Sequence, residues 1–321
     1  MVRILVNDGI HPDGKLLLEE AGYEVVTDKV AQEDLPKELP NFDAIIVRSA
    51  TKVRKDLIDL CPKLKIIARG GVGLDNIDVD YAKEKGITVM NTPAASSKSV
   101  AELVFGHMFS LARSLHLSNR EMPVKGGTEF KKLKKSYSKG IQLHEKTLGI
   151  IGLGRIGREV ARMGLGLGMK ILPVDLYVDE ITVDVALYSS EEVGLSVKLK
   201  TCSLEEMLEQ ADFITLHVPF SGGKPILGSE EIAKMKDGTY IVNAARGGTV
   251  DEQALLAALE SGKLAGAALD VFDLEPSPQE EILNNPKISL TPHTGASTVE
   301  AQRNIGLELA DKIIAFYGDD K

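Results

Sequence analysis

The chain has 321 residues, of which 43% are hydrophobic and 26% are charged, a composition typical of a globular protein with about two domains. It lacks an apolar window of roughly 18 residues, it reaches Asp8 too early for a signal peptide, and its two cysteines fit neither a disulfide framework nor a metal site. The net charge of −9 disfavours nucleic acid and anionic membranes as partners, so we expect a cytoplasmic protein that uses no metal.

Short apolar runs alternate with helix-like stretches from the start of the chain. Four of these runs, at 2–6, 43–47, 65–68 and 87–90, are interpreted as buried strands. Continuous apolar strands separated by helices are typical of a parallel sheet covered on both faces. The first hundred residues therefore predict an α/β domain.

The pattern changes near residue 99. Residues 99–117 have helical spacing but are apolar around much of the helix circumference. Such a helix is buried against another domain or subunit, or it is a long internal core helix, and both interpretations are open. The basic run from Lys131 to Lys139 is interpreted as a solvated face.

A second alternating series begins after this helix. Its predicted strands lie at 147–151, 169–174, 212–218, 239–245 and 264–272. Residues 176–203 show no clear helical period and predict extra strands or a long excursion, whereas 297–318 predict a helix. Two such series in one chain indicate two doubly wound domains.

A glycine motif marks the start of the second series. Gly152, Gly154 and Gly157 follow a predicted strand and open a predicted helix, which is the context a dinucleotide fingerprint requires. Asp175 ends the next strand, where its carboxylate can accept hydrogen bonds from the ribose hydroxyls and repel a 2′-phosphate. The sequence therefore predicts NAD as the cofactor.

Three later residues match the needs of hydride transfer to a hydroxy acid. Arg246 directly follows a predicted strand, Glu275 precedes a proline, and His293 lies in the segment TPHTGAS. A cation can bind the substrate carboxylate, a histidine can exchange the hydroxyl proton, and a neighbouring carboxylate can stabilise the protonated histidine. Taken singly, each residue also has an ordinary structural explanation.

The segments NAARGGTVDEQAL, ALDVFDLEP and TPHTGAST, in this order after GLGRIG, resemble the signatures of the D-isomer-specific 2-hydroxyacid dehydrogenases. The resemblance covers essentially the whole chain. It implies a Rossmann-type doubly wound nucleotide domain at 99–290 and a smaller flavodoxin-like substrate domain at 1–98 and 291–321. It also implies a homodimer built on the helix at 99–118, a small 2-hydroxy or 2-oxo acid as substrate, and a cleft that closes on it.

The resemblance further implies residue roles. Arg246 would orient the substrate, Glu275 would pair with the histidine, and His293 would be the acid/base. Besides the glycine motif and Asp175, the implied cofactor contacts are Val72, Arg155, Ile156, Val218, Ala244, Ala245, Asp270 and Ala296. Asp270 could accept from the carboxamide NH₂ or could be an ordinary buried strand-end aspartate. The implied substrate contacts are Arg48, Arg69, Gly71, Gly73, Ser96 and Gln302, with backbone N–H groups of 70–73 binding the carboxylate as a nest.

Within the family, the segments at 47–53, 69–78 and 90–103 resemble the branch whose hydroxy acid carries a phosphate. Ser96 departs from that branch, which usually has asparagine there, and we expect a short form without a C-terminal regulatory domain after Lys321. The alternatives are a hydroxypyruvate or glyoxylate reductase and a broad D-2-hydroxyacid dehydrogenase. A different class, the NAD(H)-sensing transcriptional co-repressors, shares the fold and is a remote alternative.

Overall fold

The computed structural model describes residues 1–186, 194–220 and 222–318. The chain forms two compact units, one of Met1–Ser99 together with the segment that starts at Ala296, and the other of Val100–Gly295. Within the described ranges, no helix has both the length and the apolar character needed to cross a bilayer.

The elements have the following bounds. The strands are β1 (Arg3–Val6), β2 (Glu24–Val26), β3 (Ala44–Val47), β4 (Ile66–Arg69), β5 (Thr88–Asn91), β6 (Thr147–Ile151), β7 (Lys170–Val174), β8 (Glu180–Ala186), β9 (Gly194–Lys200), β10 (Phe213–Leu216), β11 (Thr239–Asn243), β12 (Leu264–Leu269) and β13 (Ile288–Leu290). The helices are α1 (Pro12–Glu20), α2 (Leu35–Glu38), α3 (Lys55–Asp59), α4 (Val79–Glu84), α5 (Ser97–Arg113), α6 (Leu115–Ser136), α7 (Arg155–Gly166), α8 (Leu204–Gln210), α9 (Ser229–Lys234), α10 (Glu252–Ser261), α11 (Glu280–Leu283) and α12 (Val299–Gly318).

The first unit contains a five-stranded sheet in the order β2-β1-β3-β4-β5, with all neighbours parallel. This is the flavodoxin-like strand order, as expected. The four strands predicted from the sequence are confirmed to within about two residues at each end. The sequence did not predict β2, because it has only three residues and none of them is fully buried.

Both faces of this sheet are covered. On one face, Ile4, Val6 and Ile46 pack with Ile305 and Leu309 of α12. On the other face, alternate residues of the same strands pack with residues of α2, α3 and α4. α1 packs on α12 so closely that a Cβ added at Gly14 would lie 2.5 Å from the carbonyl of Gly306.

The second unit contains a six-stranded parallel sheet in the order β13-β12-β11-β10-β6-β7. All five strands predicted for this series are present, and β13 adds a short edge strand. Hydrophobic cores form on both faces of the sheet, which confirms the Rossmann-type doubly wound fold class.

The excursion at 176–203 contains an antiparallel hairpin of β8 and β9. Ile181 and Val183 of β8 are buried and pack in the core beside α7, while the alternate residues face solvent. The expectation of extra strands is therefore confirmed for 180–186 and 194–200, and its central part, 187–193, lies outside the described residues.

The helical region after residue 97 differs from the prediction. α5 ends at Arg113 because Ser114 adopts a left-handed conformation (φ 51°), and α6 follows at once. The sequence did not predict α6, because Pro123 lies inside it, and Glu129 has non-helical dihedral angles at a kink within it. The lysines between 131 and 139 are all exposed, as expected for a solvated face.

Candidate active site

The carboxyl ends of the central strands of the second unit are level. Leu216 of β10 pairs with both Ile151 of β6 and Asn243 of β11, and Asn243 pairs with Leu269 of β12. The residues that directly follow these strands therefore meet along one edge of the sheet, which is where open α/β sheets bind ligands. They are Gly152, His217, Ala244 and Asp270.

The loop after β6 has the shape that a pyrophosphate needs. Gly152 has φ +97°, and a Cβ there would lie 2.6 Å from the Val218 side chain. A Cβ at Gly157 would lie 1.9 Å from the Gly152 carbonyl oxygen, whereas a Cβ at Gly154 meets no described atom within 4 Å. Two glycines are thus required by packing, and the third leaves open space at the N-terminus of α7, where free N–H groups attract an anion.

The first turn of α7 completes this cradle. Gly154 is its N-cap, and no side chain among the described residues caps it. Arg155 is exposed and Ile156 half-buried at this end of the helix. The backbone of His217 lies beside Gly152, and burial lowers the pKa of its imidazole to about 3, so this side chain is neutral and the helix end supplies the positive potential. The cradle fits a dinucleotide.

Asp175 lies directly after β7 and is fastened to the glycine loop. Its Oδ2 accepts a hydrogen bond from the Leu153 N–H at 2.7 Å, and its Oδ1 accepts one from the Tyr177 N–H at 2.9 Å. These two bonds fix the carboxylate beside the loop, where the ribose of a bound dinucleotide lies in this fold.

His293 and Glu275 form a hydrogen-bonded pair. The distance between His293 Nδ1 and Glu275 Oε2 is 2.9 Å, and Glu275 Oε1 accepts from the Phe272 N–H at 3.1 Å. The His293 side chain is 49% exposed, so its other ring nitrogen can reach a ligand. A carboxylate held by the backbone thereby orients an accessible imidazole, the arrangement that proton exchange requires.

The loop that carries Arg246 is fastened to the segment that leads to Glu275. The Gly248 N–H donates to Asp273 Oδ1 at 2.6 Å. A Cβ at Gly247 would lie 2.0 Å from the Phe272 carbonyl oxygen, so the two segments are in direct backbone contact. The segments of Arg246, Glu275 and His293 are therefore joined within one unit.

Asp270 is almost completely buried and makes its bonds within the protein. Its Oδ1 accepts from the Thr291 hydroxyl at 2.6 Å and the Thr294 N–H at 2.8 Å, and its Oδ2 accepts from the Gly295 N–H at 2.9 Å. Asp270 therefore anchors the loop that contains His293, and the cofactor contact expected of it stays a prediction.

In the first unit, the backbone of Arg48 is held by a polar network. Asp8 accepts from the N–H groups of Arg48 and Thr51, and Asn76 Nδ2 donates to the carbonyls of the same two residues. The Arg48 side chain makes no ion pair with a described residue. An alternative role for Arg48, as the ion-pair partner of an acidic neighbour that only stabilises the domain, thus finds no support among the described residues.

The glycine-rich loop after β4 differs partly from the expected nest. The Gly70 N–H donates to the Val47 carbonyl, and the Gly71 N–H donates to Thr92 Oγ1 at 2.9 Å. Of the loop's described N–H groups, those of Val72 and Gly73 make no bond to the protein. Only the N–H groups of Val72 and Gly73 are therefore available to bind an anion in this loop, because those of Gly70 and Gly71 already donate to described residues.

The remaining substrate-side residues lie in the first unit. The Arg69 guanidinium lies against Gly71, where a Cβ would be 2.8 Å from its Nη1. The buried Ser96 Oγ has no partner among described residues, and Gln302 Nε2 donates to the Ala296 carbonyl at 2.7 Å.

Of the other expected cofactor contacts, Ala245 is buried, and three residues are half-buried: Val218, Ala244 and Ala296.

Two buried polar residues beside the site were not predicted from the sequence, Glu252 and His107. Glu252 is buried, and its carboxylate accepts from the Asp273 N–H and from Gln279, which fixes the segment around Glu275. Burial raises the pKa of this carboxyl. His107 is likewise buried and contacts residues near His293. A lone histidine on an otherwise apolar helix was the available signal for the second residue.

The parallel sheet, the glycine cradle and the acid after the next strand define a dinucleotide-dependent oxidoreductase. The sequence profile described as "D-isomer specific 2-hydroxyacid dehydrogenase, NAD binding domain" matches residues 105–295. The chain belongs to the D-isomer-specific 2-hydroxyacid dehydrogenase family, and its cofactor is NAD.

Relatives with different substrates resemble the chain to a similar degree. A hydroxypyruvate reductase of Thermotoga maritima is 44% identical, with 98% of each chain covered. A D-3-phosphoglycerate dehydrogenase of Methanocaldococcus jannaschii is also 44% identical over 98% of this chain, which spans 57% of that relative's length. The structure of an NADPH-dependent glyoxylate/hydroxypyruvate reductase of Sinorhizobium meliloti has a TM-score of 0.82 and 28% identity, covering 99% of this chain and 95% of that one.

Replacing Asp175 by alanine is expected to narrow the preference for NADH over NADPH. The carboxylate repels a 2′-phosphate, so its loss raises kcat/KM for NADPH more than it lowers kcat/KM for NADH. Steady-state kinetics with both nucleotides on wild type and Asp175→Ala measure the ratio. A wild-type ratio near one would contradict the role given to Asp175. Asp179→Ala, four residues further along the chain, is the control.

Proposed function

We propose that this protein interconverts 3-phospho-D-glycerate and 3-phosphohydroxypyruvate. The observation that carries the proposal is Arg48, a half-buried arginine whose guanidinium makes no ion pair within the described chain. It directly follows β3, and Arg69 ends the neighbouring strand β4. Two adjacent cations suit a substrate with two anionic groups, since guanidinium binds phosphate and carboxylate in bidentate fashion.

In the proposed reaction, the chain's own residues bind the acid and move one proton. Arg246 binds the carboxylate of the acid. During oxidation, His293 Nε2 takes the proton of the C2 hydroxyl, while Glu275 holds Nδ1 and stabilises the imidazolium. The glycine cradle and Asp175 would hold NAD, which would supply the acceptor for the hydride of C2. In the reverse direction, His293 returns the proton to the carbonyl oxygen.

A second candidate is a hydroxypyruvate or glyoxylate reductase. It is favoured by the Thermotoga maritima relative, which matches nearly the full length of both chains. Ser96 also favours it, because the short buried hydroxyl replaces the asparagine usual in the phosphate-using branch. The two candidate 2-oxo acids, hydroxypyruvate and its phosphate, differ by one phosphoryl group, so recognition of that group decides between them.

The test compares kcat/KM for phosphohydroxypyruvate and hydroxypyruvate in wild type and in Arg48→Ala. Phosphate recognition predicts a wild-type preference for the phosphorylated acid and, in the variant, a loss of about 10-fold or more on that acid alone. Arg54→Ala is the matched control, since Arg54 already pairs with Asp78 at 2.9 Å. Equal losses on both acids, or better wild-type turnover of hydroxypyruvate, would favour the reductase.

The proposal includes a homodimer in the cytoplasm. Support for the dimer comes from apolar side chains of α5 and α6 that stay exposed in the single chain, namely Phe109, Met122, Val124 and Phe130. Absence of turnover with every hydroxy acid of a panel, with NADH binding intact, would instead favour an NAD(H)-sensing interaction protein.

A further inference from the structure

A buried polar chain runs from α5 to the loop that carries His293. His107 of α5 is 4% exposed; its Nδ1 lies 3.0 Å from Ser289 Oγ and its Nε2 lies 2.9 Å from Thr291 Oγ1. Thr291 in turn bonds to Asp270 Oδ1 at 2.6 Å. In the sequence, His107 is 182 positions away from Ser289 and 184 positions away from Thr291.

The hydrogen-bonding capacity of the groups fixes the direction of this chain. A carboxylate accepts only, so the single hydroxyl hydrogen of Thr291 goes to Asp270. Thr291 Oγ1 must then accept from His107 Nε2–H. The single hydroxyl hydrogen of Ser289 goes to His107 Nδ1 at 3.0 Å, the shorter of its two contacts, rather than to Ser110 Oγ at 3.4 Å. Every member is satisfied when His107 is neutral and carries its proton on Nε2.

The hydrogen bonds to Asp270 come from residues on both sides of His293 in the sequence. Thr291, two residues before it, and Thr294, one residue after it, both donate to Asp270. His293 itself has φ +53° and donates its N–H to the Thr291 carbonyl at 3.1 Å. A left-handed backbone is unfavourable for a residue with a Cβ, so the surrounding bonds must impose it.

We infer that His107 is a positioning residue for His293, acting through Thr291 and Asp270. It sets the hydroxyl of Thr291 toward Asp270, and Asp270 then fixes the loop so that the His293 ring meets Glu275. The inference rests on the proposed role of His293 as the acid/base. Burial lowers the pKa of His107 against the opposing influence of Asp270, so it stays neutral and does not serve as a second proton donor.

His107→Leu is expected to lower kcat by about 10- to 100-fold, since a misplacement of roughly 1 Å can cost a factor of that order. The Kd for NADH is expected to stay within about twofold of the wild-type value, because none of the hydrogen-bonded residues from His107 to Asp270 lies in the glycine cradle. His107→Gln is expected to restore most of kcat, since its amide N–H₂ can donate to Thr291 as Nε2 does. Thr291→Val breaks the same link by an isosteric change and is expected to match His107→Leu.

His144→Leu is the control. His144 is an exposed histidine, and no hydrogen bond among the described residues joins it to His107, Thr291 or Asp270. ¹⁵N-histidine spectra of the cofactor-free protein give a readout that is independent of turnover. The His293 ring signal is expected to move in His107→Leu and Thr291→Val, and to stay unchanged in His144→Leu.

Two results would overturn the inference. One is a His107→Leu variant with wild-type kcat and an unshifted His293 signal. The other is a loss in His107→Leu that simply follows the folded fraction and that His107→Gln does not relieve. If wild type turns over no hydroxy acid, the proposed function fails, and the spectra still decide whether His107 positions His293.

Discussion

His293→Ala is expected to lower kcat by about 10²- to 10⁴-fold, the usual contribution of a positioned acid/base. The ring is accessible, and its Nδ1 lies 2.9 Å from Glu275 Oε2, which leaves Nε2 to exchange the substrate proton. The variant is expected to bind NADH as wild type does, because the glycine cradle does not include His293. Steady-state kinetics and a fluorescence titration with NADH measure the two effects.

Companion variants separate the catalytic roles. Arg246→Ala is expected to lower kcat and also to raise KM for the acid, because it removes the carboxylate partner. Glu275→Gln keeps a hydrogen-bonding partner for Nδ1 without its charge and is expected to fall between wild type and His293→Ala. His144→Ala, at an exposed histidine, is the control. Wild-type kcat in His293→Ala would exclude this residue as the proton donor.

Gly157→Ala is expected to abolish NADH binding and to destabilise the protein. Its Cβ would lie 1.9 Å from the Gly152 carbonyl oxygen, and a backbone atom cannot move away as a flexible side chain can. Overpacking of this kind costs about 1–3 kcal/mol or more of unfolding free energy, and the shift it forces displaces the glycine loop. Thermal unfolding and NADH titration measure the two losses.

Two neighbouring glycines are matched controls for this substitution. A Cβ at Gly154 or at Gly166 meets no described atom within 4 Å. Gly154→Ala is therefore expected to keep wild-type stability and to weaken NADH binding, since the methyl group occupies the space proposed for pyrophosphate. Gly166→Ala is expected to change neither. Gly157→Ala with wild-type stability would contradict the packing requirement.

Most of the fold could be predicted because its signals are local. Strands such as β3 and β6 are fully buried, so an uninterrupted apolar run identifies each of them. β2 and α6 escaped prediction for the opposite reason. β2 is short and only partly buried. α6 contains Pro123 and two adjacent glycines at 126 and 127, residues that disfavour a helix.

The positions of some candidate site residues could be predicted from local sequence context. Gly157 does lack room for a Cβ, and Asp175 does lie beside the glycine loop. Partners distant in sequence could not be predicted this way. Nothing local indicates that Asp270 is saturated by the loop at 291–295, or that Thr92 already accepts the Gly71 N–H. Such bonds depend on which strand ends become neighbours, and that information appears only once the sheet order is known.

The packing of α12 on the first sheet also sets an order of events during synthesis on the ribosome. The second unit is complete once residue 295 has been made. The first unit still lacks Ile305, Leu309 and Ile313, which cover the face formed by Ile4 and Val6. At typical translation rates, this apolar face stays uncovered for roughly 10 to 40 s after residue 99 emerges. The segment made first therefore finishes folding last, and its nascent strands are the part of the chain most in need of a chaperone.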